Sequence, residues 1–121
     1  MDEFSNAPAA ESEFAVRGTR DAEGWTFAVR GDLDLLTVPR LRFALADAFS
    51  GPACDVVVDL SEVDFFEVTA LHLFAEIAQR LGRTGRRLFL HHPSAFQQRL
   101  LNTYGLTRLA SGAWAERVTL G

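Results

Sequence analysis

Lysine is absent from this chain, and its twelve basic residues, all arginine, stand against sixteen acidic ones for a formal charge of −4. A weakly acidic domain lacks the net basic face that nucleic-acid binding requires. The only dense basic patch, Arg80, Arg83, Arg86 and Arg87, reads as a solvated helix end, where cations complement the helix dipole. Cysteine occurs once, so no intramolecular disulfide can form. Cys54 reads as a small buried hydrophobe in a reducing compartment. No apolar run approaches the roughly 20 residues that span a bilayer. The acidic, polar start MDEFSNAPAAESEF is not a signal peptide, so a cytoplasmic protein without membrane insertion is expected. Glycine-rich phosphate loops of the form GxxxxGK(S/T) or GxGxxG are missing. No spacing supports a Ser-His-Asp set, and no Cys/His set has zinc spacing. His72, His91 and His92 form no such set; the adjacent pair would point to opposite faces of a strand. No enzyme activity, cofactor or metal is therefore expected.

What is present suffices for one packed domain. The chain has 121 residues, of which 48% are hydrophobic, and disorder throughout is excluded. Residues 1–12 show no period and read as a flexible tail, leaving 13–121 as the domain. Residues 13–18 and 25–30 read as short strands, joined by the turn chemistry of TRDAEG into a hairpin. Trp25, Phe27 and Val29 alternate with polar or small residues. Thr37 caps a helix over 38–49, with Pro39 in its first turn. Val38, Leu41, Leu45, Ala48 and Phe49 form its apolar face. The run CDVVVDL (54–60) reads as a strand buried on both faces, ended by Asp59, which bonds a neighbouring loop.

A second helix is expected over 69–83, with Leu71, Phe74, Ala75, Ala78 and Leu81 inward. Leu73 and Ile77 widen its apolar stripe beyond one core contact. A strand over 87–91 follows. A third helix over 94–104 carries Phe96, Leu100 and Tyr104 on one side, with Gly105 as its C-cap. Residues 111–121, with Trp114 and RVTL, fit a short helix or an edge strand. The order β-β-α-β-α-β-α predicts an α/β fold, a small mixed sheet packed against helices with parallel pairing after the hairpin. The expected core includes Leu41, Leu45, Val57, Leu71, Phe74, Ala78, Leu88 and Leu100.

Three segments carry a family resemblance. RGDLDLLTVPRLRFAL (30–45) matches a Gly-(Glu/Asp)-Leu-Asp segment and its following helix. VVVDLSEVDFFEVTALHLF (56–74) matches a strand and switch loop. GRRLFLHHPSAFQQRLLNTYGLTRLA (85–110) matches a closing strand and helix. Together they resemble the STAS domain of bacterial anti-sigma factor antagonists and of the cytosolic part of sulfate transporters. The resemblance implies an interaction module. In the antagonists the switch loop reads Asp-Ser-(Ser/Thr)-Gly, and an anti-sigma factor kinase phosphorylates the first hydroxyl. Unphosphorylated antagonist binds that kinase and frees the sigma factor.

Carried over here, Glu67 replaces the Asp, Val68 the phosphoacceptor and Ala70 the Gly, while Thr69 keeps the second hydroxyl. Valine offers no nucleophile. Thr69 is then either a helix N-cap or the remaining candidate acceptor. Asp32 and Asp34 either form part of a partner-binding rim or only terminate a strand. The implied surface comprises Asp32, Asp34, Thr37, Glu67, Val68, Thr69, Ala70, Leu73 and Ile77. The implied partner is an anti-sigma factor, a histidine-kinase-like ATPase. The alternative is an accessory or scaffold subunit of a transporter ATPase or larger signalling complex, using the same helix face.

Overall fold

The structure, a computed structural model, describes residues 13–110. The expectations for residues 1–12, Trp114 and 117–120 lie outside the described residues. Among the described residues, four strands form one sheet in the order β1-β2-β3-β4. β1 (Ala15–Asp21) and β2 (Gly24–Leu33) make the antiparallel hairpin, with Asp21 opposite Gly24. The Asp21 carboxylate closes its turn by accepting the Glu23 and Gly24 amides. β3 (Asp55–Phe66) pairs parallel to β2, and β4 (Leu88–His91) parallel to β3. The helices α1 (Val38–Leu45), α2 (Val68–Gly82) and α3 (Ala95–Thr103) fall in the connections after β2, β3 and β4. A 3-10 turn, Ala46–Phe49, extends α1 where a longer helix is expected, and another covers Thr107–Leu109.

Apolar alternation decides what the sheet presents to its helices. Phe27, Val29 and Leu33 of β2 are buried with Val56, Val58 and Leu60 of β3 and Leu88 and Leu90 of β4. α1 contributes Val38, Leu41 and Leu45 to this core. Val57 has the opposite parity and is half-buried, as are Ala78 and Leu100; all three are less enclosed than expected. β3 runs six residues beyond Leu60, so Asp59 does not end the strand. Cys54 is half-exposed rather than buried.

α2 departs from expectation in breadth. Ala70, Leu71, Leu73, Phe74, Ile77 and Leu81 are all buried, whereas Ala75 is exposed. The helix packs against α1 as well as against β3 and β4, so its buried arc is wide. Leu73 and Ile77 are each 1% exposed and belong to the core, not to an outer face. α3 departs in phase. Its buried residues are Gln97 and Leu101, while Phe96 and Tyr104 are exposed. Gln97 decides this phase. Its Nε2 donates to the Val63 carbonyl (3.1 Å), and its Oε1 accepts the Ser94 amide in a capping box with the Ser94 hydroxyl. A buried amide with its bonds satisfied outweighs exposure of a phenyl ring. Gly105, at φ +76°, caps the helix, and the Leu106 amide donates back to the Leu101 carbonyl (2.8 Å).

Gly31 fixes how β2 delivers the residues after it. It has φ +101° and adjoins a bulge in the β2–β3 register. A Cβ there would lie 2.6 Å from the Glu13 carbonyl oxygen. Gly31→Ala is expected to lose about 1–3 kcal/mol from backbone strain alone, with the steric clash added. Chemical denaturation measures it; an unchanged midpoint would refute the strained geometry.

Candidate functional site

The parallel pairing of β2 and β3 places two loops side by side. Asp32 is opposite Phe65 and Leu33 opposite Phe66. The Glu67 amide then donates to the Leu33 carbonyl at 3.0 Å, tying the start of α2 to the end of β2. The 32–37 and 64–70 segments thus form one rim at this end of the sheet.

The first loop is held by its own side chains. The Asp34 carboxylate accepts the Leu36 amide (3.0 Å) and the Thr37 amide (3.1 Å). Thr37 stands at the N-cap position, but its hydroxyl caps no helix amide. It accepts the Asp34 amide (2.9 Å) and donates to the Asp32 carbonyl (2.7 Å). Asp34 and Thr37 are half-buried braces, while Asp32 is exposed. The bracing turns Leu35 and Leu36 outward, at 70% and 82% exposure.

The second loop is a single residue. β3 ends at Phe66, Glu67 is the extended N-cap, and α2 begins at Val68. Glu67 is exposed, and its carboxylate makes no capping bond, yet it lies where a helix favours negative charge. Val68 is 39% exposed and Phe65 44%. Thr69 is not the N-cap. It is the second residue of α2, and its hydroxyl oxygen is buried without a hydrogen-bond partner among the described residues. A hydroxyl enclosed in this way is not presented to a kinase. Ala70 is fully buried and cannot touch a partner.

The rim therefore gathers Asp32, Glu67 and Val68 at its surface, with Asp34 and Thr37 bracing beneath. Ala70, Leu73 and Ile77 are excluded from it by burial. Leu35, Leu36 and Phe65 join it, although no periodicity marked them. Two signals were available: a Leu-Leu pair inside a turn, and a Phe-Phe pair on a strand, where alternation sends one ring outward. The result is an apolar patch bordered by the acidic residues Asp32, Asp64 and Glu67, all exposed.

Away from the rim, His91 and His92 do not diverge. His92 leaves the strand at φ +60°, and the two rings lie 4.3 Å apart. His92 Nδ1 is 3.2 Å from an Asp59 carboxylate oxygen that also accepts the Ser61 amide. Burial alone would raise the Asp59 carboxyl. The Ser61 amide and His92 outweigh burial and hold it below its ordinary value. Burial, then the charge of His92, pull the His91 imidazole below its ordinary value, against the weaker opposing pull of Asp59. The unfolded chain thus takes up a proton at His91 before the folded one does, so stability is present at neutral pH and falls once pH drops below about 6.5. Urea unfolding should show a decline between about pH 7 and 5.5 that His91→Gln flattens. An unchanged slope in that variant would refute the assignment. Among the described residues no group of three or more His, Cys, Asp or Glu side chains could hold a metal ion. None of the described helices is long and apolar enough to cross a membrane.

The sheet order, the helices after each parallel strand and the loop rim define a small α/β domain of the STAS type. The chain belongs to that family: the family model described as "Mlab, STAS domain" matches residues 16–111. Solved structures agree in fold. The anti-sigma factor antagonist SpoIIAA in its unphosphorylated form is 20% identical, with TM-score 0.71 over 88% of this chain and 96% of that one. The phosphorylated form of the same Bacillus cell fate determinant is 21% identical, with TM-score 0.65 over 88% and 99%. An anti-sigma factor antagonist from Mycobacterium paratuberculosis is 25% identical, with TM-score 0.67 over 86% of each chain. Comparison with curated proteins finds no match.

Proposed function

We propose that this protein is an anti-sigma factor antagonist-like regulator that binds an anti-sigma factor, a histidine-kinase-like ATPase, and catalyses no reaction itself. It does so without the usual phosphorylation switch. One observation carries the reading: Val68, 39% exposed, is the first residue of α2, where the family resemblance puts the phosphorylated hydroxyl. The backbone of a switch is retained, with its helix N-terminus and side-by-side loops. The reactive oxygen is replaced by an isopropyl group. The contact surface is Asp32, Glu67 and Val68 together with Leu35, Leu36 and Phe65, an apolar centre with a charged border, as protein interfaces have.

Calorimetric titration of the full chain with the ATPase anti-sigma factors of the same cell tests this. Tight binding is expected, weakened at least about tenfold by Val68→Asp, which places a carboxylate in the centre of the patch. Failure of every such ATPase to bind, or binding indifferent to Val68→Asp, would overturn the proposal. Binding to a transporter ATPase alone would replace it with the accessory-subunit reading.

A further inference from the structure

α1 is apolar on two sides. Val38, Leu41 and Leu45 face the core. Phe43, by contrast, is 83% exposed, and Leu36 is exposed to the same degree. The Val38 amide donates to the Asp34 carbonyl (2.9 Å), an i→i+4 bond that carries helical winding back through Leu36. Seven residues are two turns, so Leu36 and Phe43 lie on one side of the helix, with exposed Pro39 between them. A helix apolar on opposite sides is one covered on both. The described residues cover only one.

The surroundings of Phe43 specify what would cover the other. A groove of about 380 Å³ runs between α1 and β1, walled by Phe14, Val16 and Arg40. A second, of about 560 Å³, runs on the other flank of Phe43 towards α2, walled by Ala46, Phe49 and Arg80. The Arg40 guanidinium lies over the Phe14 ring at 5.1 Å. Those of Arg80 and Arg86 lie over the Phe49 ring at 4.1 and 5.4 Å. Stacking holds these cations beside the grooves. Only Arg42 on this face is paired, with Glu76; Arg40, Arg80 and Arg86 form no ion pair with a carboxylate among the described residues. With Arg40, Arg42, Arg80 and Arg86 against Glu76, whose charge also acts on Arg80, and the exposed Asp47, arginine is in excess on this face of a chain with net charge −4.

We propose that the outer face of α1 is a second docking surface, which adjoins the rim at Leu36 and extends from there along the helix, and that its occupant is an acidic amphipathic helix of a partner protein. Apolar side chains of that helix would cover Leu36, Pro39 and Phe43, and its carboxylates would meet Arg40 and Arg80. The straight, helically spaced stripe with a groove along each flank suits a helix packed lengthwise. Recesses on both sides of the ring receive individual side chains, which a fluid bilayer does not supply. The rim is acidic and this face basic, so the two surfaces select partners, or partner segments, of opposite charge. The inference rests on the fold and not on the anti-sigma reading.

The test uses the full chain, ¹⁵N-labelled, and a synthetic helix of about 18 residues with leucines at helical spacing and glutamates elsewhere. A control peptide carries lysine in place of glutamate. The acidic peptide should shift amides over residues 36–46 and around Arg80, and the lysine peptide should not. Phe43→Ser should weaken binding at least about tenfold. Phe43 is exposed, so this variant should unfold at the wild-type temperature, which separates lost binding from lost fold. Equal shifts from both peptides, shifts confined to the rim, or no shift at about millimolar peptide would each overturn the proposal. Two further outcomes reassign the stripe and also overturn it. One is binding to phosphatidylglycerol vesicles, lost in Phe43→Ser, with no peptide binding. The other is a concentration-dependent dimer dispersed by Phe43→Ser.

Discussion

Leu73→Ala and Ile77→Ala should each lower the free energy of unfolding by about 2–5 kcal/mol. Both side chains are 1% exposed. They sit on the arc of α2 enclosed between α1 and the sheet, beside Phe74, whose ring meets Phe66 edge-on at 6.1 Å. Truncation removes methyl groups from the core and leaves a cavity that rigid neighbours on two sides cannot fill. In a domain of about 100 residues, this corresponds to a loss of roughly 10 °C or more in melting temperature. Had these residues stood on an exposed partner-binding face, the same substitutions would move stability by no more than about 0.5 kcal/mol. Urea unfolding monitored by circular dichroism separates the cases. Wild-type midpoints in both variants would return Leu73 and Ile77 to the surface and sink the packing described for α2.

Under the proposed function, Val68→Ser should turn a protein that the partner kinase leaves unmodified at position 68 into one that is phosphorylated there and released. The position is the first of α2, and its side chain reaches solvent. A serine hydroxyl would stand at the helix N-terminus, where amides and the dipole favour an anion. A phosphate adds about −1.5 to −2 charges at neutral pH. Asp32, Asp64 and Glu67 already make the rim acidic, so the added charge meets repulsion and disrupts an apolar contact. The experiment incubates both forms with the kinase and ATP, maps modification by mass spectrometry and measures binding before and after. Phosphate on wild-type Thr69 together with loss of binding would defeat the unswitched reading. It would require the first turn of α2 to open, because that hydroxyl is enclosed.

The sequence alone determined the element order, the antiparallel hairpin, the parallel pairing that follows and the family. Each depends on local signals: alternation in Trp25–Phe27–Val29, the turn chemistry of TRDAEG, the valine run in β3, and three motif segments whose spacing fits one fold. The resemblance that sets Val68 where the antagonists carry a hydroxyl also came from the sequence, since chemical identity needs no coordinates. The breadth of a buried arc was not. Helical spacing identified α2 as amphipathic, but packing against α1 as well as the sheet drew Leu73 and Ile77 inside.

Phase escaped as well. Phe96, Leu100 and Tyr104 keep helical spacing, yet the buried side of α3 follows Gln97, because its amide finds the Val63 carbonyl 34 residues away. The divergence assigned to His91 and His92 assumed a strand that His92 leaves at positive φ. At the rim, Asp34 was legible as a turn residue, but Thr37 read as a helix cap, and neither their exchange of hydrogen bonds nor the outward turn of Leu35 and Leu36 could be read. Local sequence sets the period of an element, because period is a property of the backbone. Which side is buried, and how much of it, depends on every neighbour that approaches, and only the tertiary structure decides that.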